Sequence, residues 1–199
     1  MSFPFSFKKT TQALNFFAQQ SGGYIDKLKA LKLMYFADRY HLRKHGRTIT
    51  NDTYFAMGLG PVASGTKDLA ELGHFLADEE REYAQKYLET PKPNLITSIR
   101  SVDFSVLSKS DLEALQAVWK RLGHLEGSEL VDLSHEYPEW KQHEGELRLC
   151  GISRVKMDYK DFLDDPEGNV DPLFPLSEQE RLDRVEALNE AACVERLWR

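Results

Sequence analysis

The sequence predicts a mainly α fold with a small β element, an α+β arrangement in which a compact helical domain surrounds one central core helix and carries a β-hairpin. Three observations carry this. Residues 24–45 place Leu28, Leu31, Tyr35 and Leu42 at helical spacing, and Leu33, Phe36, Ala37 and Tyr40 form a second apolar strip across the same cylinder. A helix that is apolar on two sides has to be covered on two sides, so it belongs in the core. Residues 47–58 read as two short extended pieces joined around Thr50, Asn51 and Asp52, where short polar side chains favour a turn; Tyr54, Phe55, Ala56 and Met57 form the second piece. Further along, Leu112, Leu115, Trp119 and Leu122 repeat at three and four, the spacing of a strongly amphipathic helix.

The remaining elements follow in order. A first helix over 10–20 puts Ala13, Phe16 and Phe17 on one side and is stopped by Ser21, Gly22 and Gly23. The core helix ends at Gly46, which suits a left-handed cap. Gly58, Gly60 and Pro61 set a tight exit from the hairpin. Ser64 then caps a helix reaching residue 76, with Leu69, Leu72 and Leu76 inward. Residues 78–89 are charged and read as a solvated helix, Pro91 and Pro93 as a linker, and 95–99 as a strand. Ser110 opens the amphipathic helix and Gly123 closes it. Ser128 caps a short helix ending near His135, and Pro138 bars its continuation. Pro166, Gly168, Pro172 and Pro175 mark the most linker-like stretch, after which Ser177 and Glu180 form a capping box for a helix to residue 198. The predicted organisation is a domain over 1–163, a Pro/Gly/acid-rich linker over 164–176 and a C-terminal helix over 177–199.

The chain has 199 residues, 41% hydrophobic and 29% charged, which suits one folded domain and excludes disorder as its dominant state. No apolar run is long enough to span a bilayer, and the N-terminus lacks the pattern of a signal peptide, so a cytoplasmic protein is expected. Cys150 and Cys193 are the two cysteines; with no CxxC pair they are expected to be unpaired thiols in a reducing compartment. The net charge of −6 is uneven: residues 1–50 carry a balance of +7, residues 51–157 of −6 and residues 158–199 of −7. The basic first quarter either docks against acidic parts of the same fold or presents Lys32, Arg39, Arg43, Lys44 and Arg47 to nucleic acid or an acidic partner. The acidic chain as a whole repels phosphate, which disfavours nucleic acid.

Candidate chemistry is sparse. Asp38, His41 and His45 share the core helix, and the histidine spacing could seat a metal, but the Glu of an H-E-x-x-H motif is missing. The two histidines read instead as a solvated pair at the negative end of the helix. Asp38 falls at the edge of an apolar strip, where an acid requires bonds to backbone donors or a base. Ser134, His135 and Glu136, beside Pro138 and Trp140, lack a G-x-S-x-G context and read as a packing and capping corner. Gly58-Leu59-Gly60 lacks the third glycine of a dinucleotide fingerprint. The sequence therefore points to a domain that binds rather than reacts, with no enzyme activity, cofactor or metal expected.

Leu33-Met34-Tyr35-Phe36-Ala37-Asp38-Arg39, then Gly46-Arg47-Thr48-Ile49-Thr50, then Asp52, Tyr54, Ala56-Met57, then Gly60-Pro61-Val62 and Ser64 resemble the Panacea domain, the SocA-like antitoxin family often labelled phage-associated. The segment LVDLSHEYPEW over 130–140 resembles the family's second block, where a Ser-His step, here Ser134 and His135, precedes a tryptophan, here Trp140. The resemblance implies a mostly helical domain that neutralises a cognate toxin by direct binding, with some members delivering the toxin to a protease. A toxin encoded by the adjacent gene is the expected partner. The expected family positions are Tyr35, Asp38, Gly46, Asp52, Ala56, Gly60, Pro61, Ser134, His135 and Trp140. The expected contact residues are Tyr54, Phe55, Met57 and Leu59 on the hairpin, with Lys32, Arg39 and Arg43 on the basic side of the core helix. Strand alternation sends Phe55 and Met57 to one face and Tyr54 and Ala56 to the other. A nucleic-acid regulator using the basic residues, and a metal-dependent enzyme centred on Asp38, His41 and His45, are the competing readings.

Overall fold

The computed structural model describes residues 4–149 and 152–197; Cys150 and Trp198 lie outside the described residues. The fold is mainly helical with two small antiparallel sheets. Helix α1 (Phe7–Gln20) leads to strand β1 (Tyr24–Asp26) and then to α2 (Lys27–His45). The core helix thus begins three residues later than its apolar pattern suggests. Ile25 is drawn into a strand opposite Ile96, both of them buried, and the Asp26 side chain accepts the Lys29 N–H at 3.0 Å to open the helix. Gly46 closes it at φ 74°, its N–H donating to the Leu42 carbonyl. Helices α5 (Lys109–Leu122) and α6 (Gly127–His135) pack along α2, as do α1 and the hairpin.

The hairpin is displaced from its expected place. Strand β2 (Tyr54–Met57) pairs with β3 (Gly60–Ala63) across a two-residue turn at Gly58 and Leu59, in the register Met57 to Gly60 and Tyr54 to Ala63. Residues 47–53 are not a strand, because the amides of Ile49 and Thr50 are taken by the Asp38 carboxylate and are lost to any ladder. Pro61, expected in a turn, lies inside β3 on the sheet edge, where a missing N–H is tolerated. Strand β6 (Val155–Lys156) covers the other side of β2.

Helix α3 (Ser64–Glu71) is short; Leu72 ends it in the left-handed region at φ 48°. Its N-terminus is capped from a distance by Asp52, whose carboxylate accepts the Gly65 and Thr66 N–H groups at 2.9 and 2.6 Å, rather than by Ser64. Helix α4 (Asp78–Gln85) stops before β4 (Leu88–Lys92), so the expected Pro91/Pro93 linker is a bulged edge strand paired with β5 (Leu95–Ser98). Two further caps shift by two residues. Ser108 and Asp111 bond reciprocally at the start of α5, and Glu129 accepts the Glu126 N–H at the start of α6. Pro138 opens α7 (Pro138–Lys141), which is followed by α8 (Glu144–Leu149) and, at the end, by α9 (Glu178–Leu197). Residues 164–176 form a strap on α2, with Leu173 buried. Among the described residues no helix is long and apolar enough to cross a membrane.

Candidate functional site

The charged residues of α2 are its most consequential feature. Lys32, Arg39 and Arg43, expected on a basic surface, are among the largest fully buried side chains of the protein. They cannot form a stripe for a partner. Their charges are met by backbone oxygens. Arg39 donates to the carbonyls of Phe162 and, at 2.7 Å, Asp164; Arg43 donates to those of Phe174 at 2.7 Å and Leu163 at 2.6 Å, and also bonds the Asp165 carboxylate. Two guanidiniums therefore lash the stretch 162–174 across the helix. Burial lowers the pKa of Arg43, with the neighbouring Arg39 charge adding to the effect.

His41 is also buried, not solvated. Its Nδ1 donates to the Arg47 carbonyl at 2.6 Å, and its Nε2 lies 3.1 Å from Ser110 Oγ and 3.2 Å from Asp111 Oδ1. Burial works against the charged form of Asp111, but bonds from His41, Lys9 and Ser108 outweigh it and hold the carboxyl well below the usual range. Asp38 is engaged elsewhere, so Asp38, His41 and His45 do not converge. Among the described residues no three His, Cys, Asp or Glu side chains form a set that could hold a metal ion.

Most of the residues expected as family positions gather beneath the hairpin, with Gly46 apart at the end of α2. Asp38 Oδ1 accepts the Ile49 and Thr50 N–H groups at 2.7 and 3.2 Å, and Oδ2 accepts the Thr50 and Tyr54 hydroxyls. Burial pushes the Asp38 carboxyl up to about 6 and these donors offset part of the rise. Burial likewise raises Asp52 against its own donors. Tyr35, edge-on to Tyr54, donates to Glu139 at 2.6 Å. Burial raises the Glu139 carboxyl, and Arg39, whose Nε lies 3.4 Å away, opposes the rise. Trp140 Nε1 donates to the Met57 carbonyl at 2.9 Å, and the His135 ring stacks on the indole with centroids 3.6 Å apart. Ser134 is buried and donates to the Val131 carbonyl three residues back, leaving it no base. Ala56 and Tyr54 are buried on the inner side of β2, so Tyr54, expected among contact residues, is a core residue instead. Glu139 and Tyr137, which the sequence reading passed over, complete this layer; an acid directly before a buried tryptophan was the available signal.

Lys32 Nζ donates to the Pro61 carbonyl at 2.8 Å. Burial lowers its ammonium from 10.5 to about 7. Across that window the unfolded chain holds more protons than the folded one, so the stability contributed by this group rises with pH from about 7 to 10.5. A displacement of that size corresponds to on the order of 5 kcal/mol, against about 1 kcal/mol for the bond to Pro61. Lys32→Met is therefore expected to be more stable than the parent by about 2 kcal/mol at pH 7, with the order reversed near pH 10.5. Urea unfolding at both values checks this; parallel pH profiles for the two proteins would remove the assignment.

Only the outer side of this layer meets solvent. Phe55, Met57 and Val62 are half-buried there, and Leu59 at the hairpin tip is 61% exposed. Arg154 lies over the Phe55 ring at 5.0 Å, and Lys156 pairs in register with Phe55. A shallow hollow of about 490 Å³ adjoins them, lined by Phe5, Asn51, Phe55, Ser64 and Asp68 among others. The arrangement is an apolar ridge backed by a bonded polar layer. The chain matches the family model for the SocA-like antitoxin, Panacea domain, over residues 31–141. It belongs to that family. No curated protein and no solved structure matches it.

Proposed function

We propose that this protein is a cytoplasmic antitoxin that neutralises the protein toxin encoded by the adjacent gene by direct binding, and that it acts without catalysis. The observation that carries the reading is the family match, which spans the core helix, the hairpin and the Trp140 corner. The outer face of the hairpin sheet is the proposed contact surface, because Phe55, Met57 and Leu59 supply the aromatic, thioether and aliphatic groups that desolvate well at interface centres. Presentation of the bound toxin to a protease is a further part of the proposal, tested by toxin half-life in cells with and without the antitoxin. Burial of Lys32, Arg39 and Arg43 removes three of the five cations on which a nucleic-acid reading rests, and the other two, Lys44 and Arg47, pair with Glu113 and Asp111.

Growth rescue on co-expression with the neighbouring gene tests the function itself; a harmless neighbour and no complex on co-purification would sink it. For the surface, Leu59→Asp is expected to weaken toxin binding by at least ~2 kcal/mol, the scale of a hot spot. The free variant should keep the parent's melting temperature, since the side chain is mostly in water. Calorimetric affinity beside a thermal melt reads both, and unchanged affinity in a well-folded variant places the contact surface elsewhere.

A further inference from the structure

We infer that the outer face of the β3–β2–β6 sheet docks a partner segment in which acidic side chains flank an apolar one. The inference rests on the antitoxin reading only for the identity of the natural partner; the chemistry comes from the face itself. Phe55, Met57, Leu59 and Val62 form its apolar strip. Arg154 and Lys156, both exposed, stand on its β6 side and make no ion pair among the described residues. Elsewhere, cations beside acids are neutralised, as in Lys27 with Glu71 and Arg181 with Asp164. Here the guanidinium lies on an aromatic ring in place of a carboxylate.

The charges around the strip sort to one side. Lys156 sits directly across from Phe55, and the Asp158 carboxylate is turned to the Lys160 N–H. Asp68, on α3, lines the hollow, and the Asp52 carboxylate is consumed by the α3 amides. A segment laid over Phe55 with an acid toward β6 gains a two-toothed bond from the Arg154 fork and an ion pair from Lys156, while its apolar side chain covers Met57 and Leu59. A basic segment would face two uncompensated cations at the same distance. In a protein of net charge −6, this locally positive rim selects against the basic partners that the rest of the surface attracts.

Two arms test this on the full chain. In the first, a short synthetic peptide of aspartate and glutamate around one phenylalanine and one leucine is titrated into labelled protein and followed by amide NMR, beside a counterpart with lysine at every acidic position. The acidic peptide is expected to shift the amides of residues 55–60, 62 and 154–156, with binding at least ~10-fold weaker in Arg154→Glu/Lys156→Glu and several-fold weaker at ~0.3 M than at ~0.05 M salt. No shifts on this face, or equal shifts from the lysine peptide, would overturn the inference. A dimer in sedimentation that Leu59→Asp dissolves would overturn it too, by giving the face to a second copy. The second arm measures the adjacent gene's product against the same variants. If Leu59→Asp weakens that complex and the double charge reversal does not, the inference fails while the antitoxin reading stands. If the product never binds but the acidic peptide does, the antitoxin reading fails and the assignment of the face stands.

Discussion

Asp38→Ala is expected to lower the stability of the folded chain by at least about 4 kcal/mol, a large share of the roughly 5–15 kcal/mol that holds a domain together. Two opposed terms decide the size. Removing the carboxylate relieves the desolvation that pushes its pKa to about 6. It also orphans the N–H groups of Ile49 and Thr50 and the hydroxyls of Thr50 and Tyr54, all inside the core. Each buried donor left without a partner costs about 1–3 kcal/mol, and four of them outweigh the relief. The loop 47–53 would then lose the contacts that hold it against α2, and the Asp52 cap on α3 with it. Urea unfolding followed by circular dichroism reads the loss. A deficit below ~1 kcal/mol would mean that the loop is held by something other than Asp38.

How far the fold could be read in advance depended on where each partner lies in the chain. Helix α2 was legible from two apolar strips and Gly46, because the signals for a helix and its end sit within a few residues of the bonds they describe. That Phe55 and Met57 share one face and Tyr54 and Ala56 the other followed from strand alternation; which of the two turns outward did not, and the burial pattern gives the outer face to Phe55 and Met57. The charge balance left open that the basic quarter docks within the fold, but the sequence did not show that Lys32, Arg39 and Arg43 are interior. Their partners are carbonyls at Pro61, Phe162, Leu163 and Phe174, and a backbone oxygen has no residue-type signature. A cation between two apolar strips therefore reads as surface until the strap that covers it is seen. The strap in turn reads as linker, since its prolines and acids suit a spacer while its carbonyls do the binding.

The hairpin was displaced for a related reason. Thr50, Asn51 and Asp52 carry ordinary turn chemistry, and they do turn, with Asn51 at φ 51°; bonds from backbone donors to Asp38 were expected, but not which amides they would come from, nor that Asp52, read as a turn residue, would accept from the next helix. Asp38 satisfies one loop and Asp52 the start of the next helix. Once those amides are committed, β2 has to find its ladder on the other side, with β3. Glu139 stayed hidden because its acceptor role depends on Tyr35, about a hundred residues earlier. The candidate surface was legible to the extent that alternation alone defines it, and the cations of β6 were not, since a two-residue strand leaves no periodic trace.

Gly60→Ala is expected to destabilise the protein by about 4 kcal/mol or more, through two separable causes. The first is backbone: Gly60 has φ 87°, a region that costs a residue with a Cβ about 1–3 kcal/mol. The second is crowding. A Cβ at this position would stand 2.3 Å from Ser134 Oγ and 2.7 Å from Lys32 Nζ. Neither can step aside freely, because the hydroxyl is bonded to Val131 and the ammonium to Pro61. Ser134→Ala removes the nearer atom, so the double variant Gly60→Ala/Ser134→Ala should recover about 1–2 kcal/mol of the loss and leave the backbone part. Gly58, two residues away in the same hairpin, has nothing within 4 Å of its would-be Cβ and no positive φ; Gly58→Ala should change stability by no more than about 0.5 kcal/mol. If the two glycine variants unfold at the same denaturant concentration, the close seat of the hairpin on Ser134 and Lys32 is not what fixes it. If only Gly60→Ala fails and the second change partly rescues it, the packing of β3 onto α2 and α6 sets the pose in which Leu59 is presented.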